Sequence, residues 1–144
     1  MTKKFCCCIA LVLAFQLFAA AADNPPQIRI NDLSKNPIVV GPFRITISKL
    51  KATRLLGTNG TVALRIDNTT SSFATFSPSR LVFVSNVNYQ INVFGIALYK
   101  SIYNPGDIDL APGAYIDEQY TLTDEIQLPA KFYYDRHLVA EITK

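Results

Sequence analysis

The chain reads as short alternating runs of apolar and polar residues broken by turn signals. An apolar residue at every second position marks a strand with one buried face. QIRIN (27–31) puts Ile28 and Ile30 on one side, and NPIVVGP (36–42) has an apolar centre between prolines, as an edge or connecting segment does. FRITISKLKATRLL (43–56) predicts a long strand: Phe43, Ile45 and Ile47 share a face, then the apolar parity switches to Leu50 and Ala52. Such a switch predicts a bulge, which inserts one residue and re-aims the side chains. GTNGTVALRID (57–67) carries Asn59-Gly60, a strong hairpin signal, ahead of the alternating Val62, Leu64 and Ile66. A two-residue loop would set Arg54 opposite Arg65, an unfavourable like-charge pair. A four-residue loop, Gly57 to Gly60, pairs Leu55 with Val62 instead and is preferred; otherwise both arginines await an anionic partner.

Further along, NTTSSFATFSPS (68–79) is a polar crossover with two aromatics expected to be buried, Phe73 and Phe76. RLVFVS (80–85) is a nearly continuous apolar run, which predicts a strand buried on both faces. NYQINVFGIALY (88–99) alternates clearly until Gly95, where a second parity switch predicts another bulge. A loop with two Pro-Gly turns follows (100–113). AYIDEQYTL (114–122) places Ile116, Tyr120 and Leu122 on one face, residues 123–135 read as irregular, and HLVAEITK (137–144) closes the chain with Leu138, Ala140 and Ile142 inward. Seven to nine strands at this spacing, without interleaved helices, predict an all-β fold: an antiparallel immunoglobulin-like β-sandwich. No repeat of 20–50 residues is visible, which excludes a solenoid or propeller.

The N-terminus breaks this pattern. Lys3 and Lys4 precede an apolar stretch from Phe5 to Phe18, and Ala19 to Ala22 offer small-residue cleavage sites before the polar Asp23-Asn24-Pro25-Pro26. This is the layout of a secretory signal peptide. The expected organisation is a signal peptide over 1–22, an N-terminal extension with the first strands over 23–42, and the sandwich domain over 43–144. Export to the periplasm or the exterior follows, with membrane contact only in transit through the signal peptide. An uncleaved anchor is the rival, but 18 residues fall short of the ~20 that span a bilayer.

The three cysteines, Cys6 to Cys8, all lie inside this leader. Adjacent thiols on a helix point around its axis and do not converge on a tetrahedral metal, as thiolates spaced by two to four residues do. They also precede the apolar stretch, whereas a bacterial lipidation cysteine follows it. They read as small hydrophobes of the leader, and the mature domain folds without a disulfide or metal.

The order of the motifs carries a resemblance. An alternating strand runs into the polar DNTT turn (67–70), two central strands follow, then LAPGAYIDEQYTL (110–122) and a final HLVAEI (137–142). Over about residues 43–143 this resembles small bacterial exported immunoglobulin-like domains, the nearest being the DUF4352 family, whose fold is similar to an immunoprotective extracellular domain. The resemblance implies an exported or surface sandwich with no assigned chemistry. This chain lacks that family's usual lipoprotein cysteine and spacer, so the resemblance does not extend to membrane attachment.

Charge excludes one class. Loss of residues 1–22 removes Lys3 and Lys4 and lowers the formal net charge from +3 to +1, which is not the balance of a nucleic-acid binder. Arg44, Lys49, Lys51 and Arg54 form the densest positive run, expected on an outward face.

Candidate chemistry is sparse. The only histidine, His137, lies beside Asp135 and Arg136 with no nucleophile motif to serve. Asp117 and Glu118, as strand neighbours, point to opposite faces; Asp124-Glu125 is a second adjacent acidic pair. Asp107-Ile108-Asp109 lacks the remaining ligands and central glycine of a calcium loop. No Walker loop or dinucleotide fingerprint is present, and no cofactor or metal is expected. Asn59 and Asn68 begin glycosylation sequons. What remains is a contact surface: Arg54, Arg65, Tyr99, Tyr103, Tyr133 and Tyr134 are the candidate ligand-contact residues, with one of the adjacent Tyr133 and Tyr134 facing out. The expected role is non-enzymatic binding of a protein or a cell-envelope component. The alternative is a carbohydrate-binding module built on loop tyrosines.

Overall fold

A computed structural model describes residues 25–51, 60–96 and 106–144. Residues 1–24, with the three cysteines and the expected signal peptide, lie outside the described residues, as do Arg54, Asn59, Tyr99 and Tyr103. The described chain forms eleven strands: β1 (Gln27–Arg29), β2 (Ile38–Val40), β3 (Phe43–Lys51), β4 (Thr61–Asn68), β5 (Ala74–Phe76), β6 (Leu81–Val84), β7 (Gln90–Ile96), β8 (Ile108–Leu110), β9 (Tyr115–Leu122), β10 (Ala130–Tyr134) and β11 (His137–Thr143). Nine of them make one sheet in the order β1-β11-β10-β6-β7-β9-β4-β3-β2, and β5 pairs with β8 in a small second sheet. The large sheet curls until β2 approaches β11, so its two halves face each other as the layers of a sandwich. Every pairing is antiparallel except β1 with β11. The all-β sandwich expected from the alternation is the fold. The count exceeds seven to nine because four strands are only three residues long, too short to show a period.

The core lies where the inward residues of both halves meet. Ile45, Ile47, Val62, Leu64, Ile66, Tyr120 and Leu122 come from one half, and Leu81, Phe83, Ile91, Phe132, Ala140 and Ile142 from the other; all are essentially inaccessible to water. Phe83 stacks on Phe132 at 4.8 Å. Phe76 closes the floor from the small sheet, edge-on to Phe43 at 5.3 Å and stacked on Tyr134 at 5.2 Å. Offset and edge-to-face aromatic pairs contribute about 0.5–1.5 kcal/mol each beyond their buried area.

Both expected bulges are present. Ile47 faces Leu64 and Lys49 faces Ala63, so Ser48 is the inserted residue, and its hydroxyl donates to the Ala63 carbonyl at 3.1 Å. The second shift lies between Val93 and Ile96 on β7. A third, which the pattern did not announce, inserts Val139 between the pairs Phe132–Ala140 and Tyr133–Leu138 and buries it.

Several expectations are corrected. β3 ends at Lys51, where Lys51 pairs with Thr61. Val62 therefore faces Leu50 and not Leu55, and Arg65 faces Thr46 and not Arg54. The register alone overturns both turns considered, since each would have set Arg54 or Leu55 where Thr46 or Leu50 stands; residues 52–59, with Asn59, lie outside the described residues. Gly60 serves a different purpose: a Cβ there would stand 2.9 Å from the Lys51 carbonyl oxygen and 3.1 Å from Leu122 Cδ1. Since that oxygen belongs to backbone, Gly60→Ala is expected to cost about 2 kcal/mol, read as a lower urea midpoint at unchanged slope. Phe73 lies on the surface, 74% exposed, because the turn after β4 carries it past the core edge, while Phe76 three residues on is fully buried. The segment expected to be irregular contains β10, a central strand between β11 and β6.

Candidate functional site

The apolar run 80–85 is where the structure departs most usefully from the pattern. β6 buries Leu81 and Phe83, but Val82 and Val84 point to the outer face and are only half-buried. Tyr133 of β10 stands beside Val82, and Asn92 of β7 flanks it on the other side; Lys131 and Gln90 flank Val84 in the same way. Val82, Val84 and Tyr133 thus floor an open groove of about 550 Å³, whose rim is Ser79, Arg80, Gln90, Asp135 and Arg136. A strand with two apolar faces and only one of them covered is unusual for a sheet face meeting water.

The rim is shaped by the β10–β11 hairpin. Tyr134 pairs with His137, leaving Asp135 and Arg136 as a two-residue turn. Both adopt left-handed backbone, φ +48° and +69°, as the hairpin twist requires; aspartate tolerates it, arginine does not favour it. Asp135 is held by its N–H donating to the Arg80 carbonyl at 3.2 Å and by an Arg80–Asp135 ion pair of 3.2 Å. Arg136 makes no ion pair among the described residues.

A smaller depression of about 280 Å³ shares that ion pair and reaches His137. One carboxylate lines it, Asp135, already engaged by Arg80. Asp107 and Asp109 each accept a hydrogen bond from a hydroxyl of the neighbouring segment, Ser77 and Thr75 respectively. Among the described residues, no three His, Cys, Asp or Glu side chains converge as metal ligands would.

The remaining predicted contact residues scatter. Arg65 has its anion within the chain: it grips Asp117 through two hydrogen bonds of 2.9 and 2.7 Å and lies 4.2 Å over the Tyr115 ring. The guanidinium bonds hold the Asp117 carboxyl below the usual carboxylate range. Asp117 and Glu118 do point to opposite faces, the first exposed and the second half-buried. Of the adjacent tyrosines, Tyr133 faces the groove. Tyr134 belongs to the core, its hydroxyl accepting the Ser77 N–H at 3.2 Å, and burial raises its pKa. Arg44, Lys49 and Lys51 face outward as expected.

Sequence reasoning missed the groove, although the signal for it was the apolar run itself. It also missed Asn68. This side chain is buried, and its amide donates to the carbonyls of Ser72, Leu110 and Ala111 at 2.7–3.1 Å. Its oxygen accepts from the Thr70 N–H and hydroxyl. The amide nitrogen that a glycan would occupy is thus engaged and buried, and the arrangement leaves no room for one at Asn68.

No protein-family model matches the chain. No curated protein matches it either. A crystal structure of the yjhA protein from Bacillus subtilis is similar, with a TM-score of 0.50 at 13% identity over 79% of this chain and 83% of that one. At that identity the likeness concerns the fold alone.

Proposed function

We propose that this is an exported, non-enzymatic β-sandwich module that binds a protein partner or a proteinaceous component of the cell envelope through the groove on β10 and β6. One observation carries the reading: the second apolar face of β6, Val82 and Val84, is left beside Tyr133 with no covering layer among the described residues. Covering such surface is worth ~25 cal/mol per Å². The rim fixes the chemistry of the occupant. It holds two arginines and one acid, and the acid is spent on Arg80. The fitting partner is a polypeptide segment that seats an apolar side chain on the valines and presents a carboxylate to Arg136. The two edges of the large sheet are less suited to strand addition. β1 and β2 are three residues long and bracketed by Pro25-Pro26, Pro37 and Pro42, a common protection of edges. The leader-like residues 1–22 support export, and the resemblance to exported immunoglobulin-like domains agrees with it.

The test uses protein expressed from its full sequence and purified as the cell releases it. A displayed peptide library selected on this protein is expected to yield sequences joining an apolar residue to Asp or Glu. Arg136→Gly is the informative variant, because glycine suits φ +69°, so the turn is kept while the cation and its stem are lost. The reading expects binding about tenfold weaker in that variant and weaker still in Val82→Asp. Peptides that bind wild type and both variants equally would sink it. A glycan array positive only while Tyr133 is intact would replace it with the carbohydrate reading.

A further inference from the structure

The opposite end of the sandwich carries a second depression, of about 210 Å³, lined by Ser85, Val87, Tyr89, Asp124, Glu125 and Gln127. Its walls are two loops held in register. The β6–β7 hairpin closes through Ser85 N–H to the Tyr89 carbonyl and Asn88 N–H to the Ser85 carbonyl, both 2.9 Å, with Asn88 in the left-handed region at φ +60°. Asn86 ties that hairpin to the β9–β10 connection, its N–H to the Gln127 carbonyl at 3.2 Å and its side-chain amide to the Leu128 carbonyl at 3.1 Å. The site is therefore preorganised. The hairpin wall exposes Val87 (65%) and Tyr89 (53%), two of the five large apolar side chains most open to water among the described residues. The facing wall brings Asp124 and Glu125, both half-buried and in no ion pair among the described residues. Asp124 spends one oxygen on the Glu125 N–H at 2.7 Å. Ser85 also lines the depression; it is 4% exposed, and its buried hydroxyl has no partner among the described residues. Such groups cost free energy unless something meets them.

Two carboxylates and an unpaired hydroxyl present acceptors, beside an aromatic face and an apolar valine. The complement is a planar cation with several N–H donors on an aliphatic stem. We infer that this depression binds an arginine side chain of a polypeptide partner, with the stem along Val87, the guanidinium over Tyr89, and its donors on Asp124, Glu125 and Ser85. Cation–π contact and paired, partly buried hydrogen bonds are the interactions that favour arginine over a bare ammonium. This site is separate from the groove on β10 and β6 and does not depend on it.

The probe is the peptide acetyl-Gly-Arg-Gly-amide, titrated into the 15N-labelled protein and followed by NMR. Saturable shifts are expected at amides 85–89 and 124–127. The citrulline counterpart, which keeps the shape but not the charge, should leave them unmoved. The double variant Asp124→Asn/Glu125→Gln should weaken arginine binding at least about tenfold. Tyr89→Ala, on an exposed loop where the fold is not at stake, should weaken it about threefold. Val82→Asp, which disables the groove, should change nothing here. Equal shifts with citrulline, shifts elsewhere, or no shifts would overturn the inference. So would tighter binding of spermidine or of calcium chloride at the same amides, which would make this a polyamine or metal site.

Discussion

Replacing Phe76 by alanine is expected to lower the stability of the domain by about 4 kcal/mol, whereas the same change at Phe73 should stay within about 0.5 kcal/mol. The two residues are three apart in a polar crossover and look alike in sequence. Phe76 is fully buried, touching Phe43 edge-on and Tyr134 face-on. Its removal forfeits the transfer free energy of a benzyl group, two aromatic contacts and the fit of the small β5–β8 sheet against the core. The cavity cannot collapse easily, because Phe43 and Tyr134 are anchored in β3 and β10. Phe73 has little to lose. Urea unfolding of the two variants under identical conditions measures the contrast. Equal costs would show that Phe73 packs in solution.

Asn68→Ala is expected to cost about 3 kcal/mol. The two N–H groups of one buried amide reach three carbonyls from two separated segments, Ser72 on one side and, sharing the other hydrogen, Leu110 and Ala111. Its own N–H donates to the Ala114 carbonyl at 2.9 Å. Alanine leaves the three carbonyls deprived of their donor in a place that water reaches poorly. Asn68→Asp distinguishes donor loss from loss of bulk. It keeps the shape but offers no donor when ionised, and it turns a negative charge toward three carbonyl oxygens. The folded state then favours the protonated acid, so its carboxyl pKa is raised above the unfolded value. Stability contributed by the protonated form is present below the unfolded value of about 3.9 and is lost as pH rises above it. The aspartate variant should therefore be least stable near neutrality and recover toward pH 4, while the alanine variant shows no such slope relative to wild type. Parallel pH profiles for the two would sink this account.

How much was legible differs from element to element. Phe43, Ile45 and Ile47, then Leu50, announce both β3 and its bulge, because a strand's side-chain period is two and an inserted residue must break it. The Pro112-Gly113 turn was equally legible: Gly113 has φ +70° and the Ala114 N–H reaches the Ala111 carbonyl at 3.1 Å. The β3–β4 register was not legible. Leu50 and Leu55 satisfy the local pattern equally, and alternation alone does not say which of them meets Val62. The candidate surfaces were legible in part. Tyr133 was singled out in sequence, yet its partners Val82 and Val84 read as core. The pair Asp124-Glu125 was visible, but not that the tip of the β6–β7 hairpin lies against it.

By itself, the sequence determined an all-β chain, its longer strands, two bulges and the Pro-Gly turn. These follow from local rules: side-chain alternation, backbone freedom at glycine and its loss at proline. Tertiary structure alone decided which apolar face of β6 is covered, which of Phe73 and Phe76 is core, and that Arg65 finds its anion in Asp117, 52 residues away. It also made Asn68, an ordinary turn residue by sequence, the buried clasp between two segments. The physical reason is common to all four. Burial and hydrogen-bond satisfaction are set by contacts between residues far apart in the chain, and a local pattern specifies only that a face is apolar or a group polar, not what will lie against it.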